Sequence, residues 1–368
     1  MKGKIAWVLI IYLMVVVLLP TSCTSTVEKV VTEQGVEEEV EIIGDVEEEP
    51  ETEPNTTPLL EESDLNSDMI AGSPIIIPGH ANILGSEEIV FDWTTDRCED
   101  SDIPDTPARA FRDADGNVQL VATHHINRRM IGPTLDLVEH DCSILMESDT
   151  DSDPSSYNNH EWISSVYTLD GQTIYALVHN EFQGHRYREL CPDGDWQTCW
   201  WNAITLAKSF DKGLTYVHAP APTHLIASVP YRYEPGIGPS GIFHPTQVVH
   251  NPKDGYYYVV LQFEEHGLQK QGLSVMRTQN LDDPQSWRAW DGEDFTVRFI
   301  NPYLEQNYNP SDHIVQRVAY ESIDRTIGGL SFNSYFNKLT VRTDRIWKGF
   351  GLVTYIMPTA PCKALKGA

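Results

Sequence analysis

Basic residues are scarce in this chain of 368: 26 Lys plus Arg stand against 54 Asp plus Glu, a net charge of −28. So negative a surface repels a phosphate backbone, which excludes nucleic acid as a partner. Long apolar runs are lacking too, and the one membrane-like stretch, Ala6 to Leu19, is too short to span a bilayer comfortably. No Cys-x-x-Cys pair and no helical His spacing occurs, so no metal site is expected from motif. No long segment beyond about residue 73 carries a helical period. What is present is an apolar fraction of 40% with 10% aromatics, enough for a substantial core in one large or two ordinary domains.

Charge divides the chain. Residues 24 to 72 hold 16 acids and one base, whereas residues 73 to 368 carry 38 acids and 23 bases. Lys2 and Lys4 precede the apolar run, which suits a secretory signal and ends in Leu18-Leu19-Pro20-Thr21-Ser22-Cys23. This resembles a bacterial lipoprotein signal over residues 1–23, implying lipidation at Cys23, with simple secretion or an uncleaved anchor as alternatives. Residues 24–72 read as an acidic disordered linker and residues 73–368 as the folded domain, on a bacterial cell surface, in the periplasm or secreted. Cysteine use agrees with export. Cys191 and Cys199 enclose the turn-rich Pro192-Asp193-Gly194-Asp195 and are expected to pair, and Cys98 with Cys142 is the next pair.

The remainder reads as strands punctuated by turns, with one β-hairpin returning four times. Its tight turns fall at Gly116, Gly171, Gly255 and Asn337, where Asp-Gly or Asn admits positive φ. A further strand-like run follows each, at residues 134–146, 202–209, 272–278 and 351–357. Repeats of this size suit propeller blades better than a sandwich. The turn Ser209-Phe210-Asp211-Lys212-Gly213-Leu214-Thr215-Tyr216 resembles an Asp-box, the hairpin motif of sialidases and other propellers.

With these hairpins and the run from Thr278 to Gly292, residues from about 85 to 360 resemble the five-bladed β-propeller glycoside hydrolases of the superfamily containing family 43. The resemblance implies an all-β, five-bladed propeller that cleaves a polysaccharide or glycan with a pair of carboxylates. Nothing after residue 357 would form a fifth blade, so either residues 74 to 100 supply closing strands or the propeller is incomplete at its C-terminus. No organic cofactor is expected, the central channel has room for a structural Ca²⁺ or Na⁺, and the chain is expected to be a monomer.

In such a fold the segments entering each innermost strand share one face with the loops after each second strand. His and carboxylates crowd both sets. Glycoside hydrolysis needs one carboxyl held protonated and another ionised. By position Asp105 matches the first acid of the resembled family and Glu161 the second, but His244 stands where the third is expected. Glu181 substitutes as acid, with Phe182 and flanking His179 and His185 to desolvate it, and Arg109 and Arg112 would keep Asp105 ionised. Candidate substrate contacts are Arg109, Arg112, His124, His125, His160, Trp162, His179, His185, His244, Glu264 and Glu321. Trp196, Trp200 and Trp201 either stack on sugar or plug the space between blades. Two other functions compete: a sialidase, which needs an arginine clamp, and a carbohydrate-binding or adhesion propeller without catalysis.

Overall fold

A computed structural model describes residues 29–31, 88–122, 124–318, 327–334, 338–343 and 353–356. The signal-like segment with Cys23, most of the acidic linker, the fourth hairpin turn and Glu321 lie outside the described residues. Within the linker, β1 (Lys29–Val31) forms a short strand.

The described chain is almost wholly β, with one α-helix, α1 (Trp93–Asp96), capped by the Asp92 side chain. Strands fall into four antiparallel units. The first holds β2 (Arg109–Arg112), β3 (Val118–Val121), β4 (Asn127–Gly132) and β5 (Glu139–Met146). The second holds β6 (His160–Thr168), β7 (Ile174–Gln183), β8 (Trp200–Ser209), β9 (Val217–His218) and β10 (Leu225–Ala227). The third runs through β11 (Ser240–Phe243), β12 (Val249–His250), β13 (Tyr257–Phe263), β14 (Gly272–Thr278), β15 (Arg288–Trp290) and β16 (Phe295–Arg298). The fourth holds β17 (Ile327–Asn333), β18 (Lys338–Thr343) and β19 (Val353–Ile356), and β1 pairs with β19.

Local chemistry explains the turns. Gly116, Gly171 and Gly255 have φ of +89°, +72° and +73°, as hairpin turns demand. At the Ser209–Tyr216 turn, Ser209 Oγ accepts from Gly213 N at 2.7 Å and Asp211 from Thr215 N at 2.9 Å. Tyr216 then drops into the apolar layer between the first two units, beside Phe111, Leu145 and Ile163. In the first unit the chain from Asn127 to Arg129 already belongs to strand β4. Arg129 is buried there and held by Asp141 at 3.0 Å and by Gln119 Oε1 at 2.9 Å, which makes the strand tolerable for a cation. Residues 88–100 contribute α1 and turns, not closing strands, and no fifth unit occurs among the described residues.

Apolar layers separate successive units. Besides the first, Leu206, Ile242, Val259, Met276 and Trp287 fill a layer between units two and three, and Tyr258, Val275, Leu330 and Leu339 one between three and four. Each such side chain contributes about 1.5–3 kcal/mol when fully buried. Where the units meet near their first strands, polar groups link neighbouring units. Arg109 Nε donates to Ser164 O at 3.2 Å, Ser165 Oγ accepts from Val248 N at 2.9 Å, and Leu330 N donates to Gln247 Oε1 at 3.2 Å. The guanidinium of Arg109 returns to Gly328 O at 3.2 Å, from the fourth unit to the first.

Units two and three also share a parallel seam, with Ser240 opposite Trp201 and Gly241 opposite Asn202. Gly241 has φ +99°, and a Cβ there would collide with the Asn202 backbone. Substitution Gly241→Ala is therefore expected to cost at least about 2 kcal/mol, measured by urea unfolding. An unchanged midpoint would show that the seam tolerates a side chain.

Candidate functional site

Strand alternation selects what faces the site. In β6 and β7, His160 lies opposite Glu181 and Trp162 opposite His179, and in β8 Asn202 lies opposite Glu181. Paired residues share a face, so His160, Trp162, His179, Glu181, Trp200 and Asn202 project to the same side of the second unit's sheet. The seam brings Phe243 and His244 onto that side. His179 Nδ1 lies 3.2 Å from His244 Nδ1, and Phe243 packs on Trp200 with ring centroids 5.1 Å apart.

The imidazoles are oriented by one chain of hydrogen bonds. Asn202 Nδ2 donates to Ser240 O at 3.1 Å, which leaves Asn202 Oδ1 to accept from His179 Nε2 at 2.9 Å. His179 Nδ1 then carries the lone pair and accepts from His244, whose Nε2 is left unprotonated. Burial drives His179 well below the ordinary histidine range, and burial together with nearby Arg109 lowers His244 to about 4. His160, buried and close to the Arg186 charge, falls to about 4 as well, and its Nδ1 sits 2.8 Å from Asn159 Oδ1. All three are neutral at pH 7.

Two carboxyls occupy this side. Glu181 is 8% exposed, and burial pushes its pKa up to about 8, with Asp105's negative charge adding to the rise. Gln183 Nε2, 3.2 Å from Glu181 Oε2, and the Trp200 indole partly offset this. Glu181 Oε1 is 3.9 Å from His179 Nε2, too far for a hydrogen bond. Asp105, in contrast, is open to solvent at the mouth. Partial desolvation raises its pKa, opposed by the Trp162 indole N–H, which donates to Asp105 Oδ2 at 3.2 Å, and by His125. His124 and His125 pack together with ring centroids 4.2 Å apart and planes tilted by 59°, each 5.9 Å from the Trp162 ring, completing the wall.

Several expected residues sit elsewhere. Glu161 lies opposite Asn180, so it turns to the other face of the sheet, fully buried, with His218 Nε2 3.0 Å from its Oε1. Burial raises Glu161; for His218 burial works the other way, but the Glu161 hydrogen bond and charge outweigh it and raise the imidazole. Arg109 donates to the backbone carbonyls of Ser164 and Gly328, and Arg112 reaches Gly116 O in its own hairpin turn. Neither is the partner of Asp105, and they form no clamp together. Phe182 packs with Tyr187 and Tyr233 instead of covering Glu181. Glu264 bonds Gln262 at 3.2 Å. His185 joins the periphery through its charge coupling to His160. Sequence reasoning missed Asn202, Phe243 and Gln183, although the alternation Trp200, Asn202, Ile204 along β8 marks their face.

Both expected disulfides form, Cys98 with Cys142 and Cys191 with Cys199, at Cα separations of 5.7 and 6.0 Å. Among the described residues the one cluster with metal-ligand spacing is Cys98, Asp102 and His140. There the Cys98 sulfur is committed to its disulfide, and Asp102 Oδ2 lies 2.6 Å from His140 Nε2.

No protein-family model matches the chain, and no curated protein does. Among solved structures it is similar to a mutant α-L-arabinanase of Cellvibrio cellulosa, at 12% identity and TM-score 0.33, over 69% of this chain and 92% of that one. It is similar also to an endo-arabinase of Bacteroides thetaiotaomicron, at 9% identity and TM-score 0.36 over 68% and 74%. An endo-1,5-α-L-arabinanase of Thermotoga petrophila gives 11% and 0.36 over 67% and 54%. Likenesses this low carry no inference about this chain.

The titration of Glu181 has a thermodynamic sign. Its pKa is raised from the ordinary 4.5 to about 8, so the folded state binds a proton that the unfolded state releases. The stability tied to that proton is complete below about pH 4.5 and is lost as pH rises through 8. Glu181→Gln is expected to gain stability over wild type by about 2–5 kcal/mol between those limits, read from urea unfolding at pH 4.5 and 8.5. A constant difference across that window would place the Glu181 pKa near its ordinary value.

Proposed function

We propose that the chain is an extracytoplasmic glycoside hydrolase built on a β-propeller, with Asp105 and Glu181 as its working carboxyls. The observation that carries the reading is the pair itself. One carboxyl is buried and protonated at neutral pH and the other is solvated and held by an indole N–H, on the same side of one sheet. That asymmetry is what a glycosidic bond requires, a proton donor on the leaving oxygen and a carboxylate across from it. Glu181 donates its proton to the glycosidic oxygen, and Asp105 activates water or attacks the anomeric carbon. The neutral imidazoles of His125, His160 and His244 offer donors and acceptors to sugar hydroxyls without adding charge. Glu161, paired with His218 on the opposite face, stays out of the chemistry.

For the architecture, the support is the polar links between neighbouring units and the apolar layers between consecutive units. A blade count of five rests on the family resemblance alone. Two disulfides fit an oxidising compartment, and a lipid on Cys23 would tether the domain there through the acidic segment. The sialidase reading loses its support because Arg109 and Arg112 form no clamp.

Turnover on a panel of aryl glycosides and polysaccharides tests the proposal. Asp105→Asn and Glu181→Gln are each expected to lower kcat at least about 100-fold with fold retained. The wild-type rate should fall as pH rises through about 8, where Glu181 loses its proton, and this limb should vanish in Glu181→Gln. Binding without cleavage across the panel would instead make the protein a carbohydrate-binding module.

A further inference from the structure

Trp196 is a large apolar side chain left 52% exposed on the loop closed by Cys191 and Cys199. Exposure there is not a sign of a slack loop. Gly194 N donates to Cys191 O at 3.0 Å, Cys199 N to Asp195 O at 3.2 Å, and Gln197 N to Asp195 Oδ1 at 3.0 Å, so the loop is braced within itself. It is also braced from outside. Gly236 N and Gly238 N both donate to Thr198 O, at 3.1 and 2.9 Å, and a Cβ at Gly238 would press on Gln197 O at 2.6 Å and Trp200 O at 2.8 Å. An indole mounted so firmly and left wet gives up solvation and little conformational entropy when something covers it.

Its neighbours say where it leads. Trp196 leans on Trp200, with centroids 5.4 Å apart and planes 42° from parallel. Trp200 packs on Phe243 at 5.1 Å, and Phe243 on His179 at 5.8 Å. Trp200 shares the sheet face of Glu181, and its buried indole nitrogen lies toward that carboxyl. A run of rings therefore leads from exposed Trp196 inward through buried Phe243 and His179, whose Nε2 is 3.9 Å from Glu181 Oε1. Aromatic faces take the C–H faces of sugar rings.

We propose that Trp196 and Trp200 form an outer subsite for successive sugars of a polysaccharide chain whose reacting bond lies at Asp105 and Glu181. The inference rests on the hydrolase reading and deepens it: the substrate is a chain of sugars that runs past the reacting bond and over this loop, not a single sugar on a small leaving group.

The test is binding of xylo-, arabino- and cello-oligosaccharides, from dimer to hexamer, to the Glu181→Gln protein by titration calorimetry. With Trp196 intact, affinity for the series that binds is expected to rise as the chain lengthens. Adding Trp196→Ala is expected to remove that rise and weaken the hexamer about tenfold, while thermal unfolding stays put because the side chain is exposed. Trp196→Phe, which keeps an aromatic face, should restore most of the loss. Identical length dependence with and without Trp196, or no binding by any oligosaccharide, overturns the subsite. Length-dependent binding that needs Trp196, in a protein whose wild type cleaves nothing, upholds the subsite and overturns the hydrolase reading alone.

Discussion

At Gly241 the chain passes so close to β8 that no side chain fits between them, and much of the site follows from that approach. The parallel seam puts Ser240 O where Asn202 can donate to it, fixing the amide and so the proton on His179 Nε2. Three residues along, His244 meets His179, and Phe243 meets Trp200. A looser seam would leave the two imidazoles free to choose tautomers, and with them the polarity of the wall opposite Glu181.

That wall explains why two carboxyls on one side behave differently. Glu181 projects from the middle of a sheet into a layer of rings that offers it little hydration, and its nearest imidazole spends its proton on Asn202. Asp105 reaches the site from an irregular segment tied down by the Cys98–Cys142 disulfide and by Asp102, which accepts from Cys98 N at 3.0 Å. Burial raises both carboxyls, and the Trp162 N–H and His125 oppose the rise at Asp105, whereas at Glu181 the Asp105 charge adds to it.

Three hairpin turns and the Cys191–Cys199 disulfide were readable from the sequence because their causes are local: glycines where φ must be positive, cysteines bracketing a turn. Cys98 and Cys142, 44 residues apart, carry no such local signal and were paired only as the next two cysteines. The placement of Asp105 and Glu181 on one side was readable from topology. Glu161 was not, because a strand's faces differ by a single residue, and choosing between His160 and Glu161 requires the register with β7. Arg109 and Arg112 misled for a related reason. Nearness to Asp105 along the chain suggests pairing, whereas strand β2 carries one guanidinium to the Gly328 carbonyl and the other to its own hairpin turn. Asn202 escaped notice because its relation to Glu181 depends on how many residues the Cys191–Cys199 loop consumes.

The link from Arg109 to Gly328 spans 219 residues of chain. During synthesis at roughly 5–20 residues per second, the first unit emerges about 10 to 40 s before the backbone that accepts its guanidinium. Through that interval a buried-to-be cation faces water, and each added unit covers one more apolar layer. The contact that buries the Arg109 cation is thus among the most distant in sequence, and it can form only after the second, third and fourth units have been made.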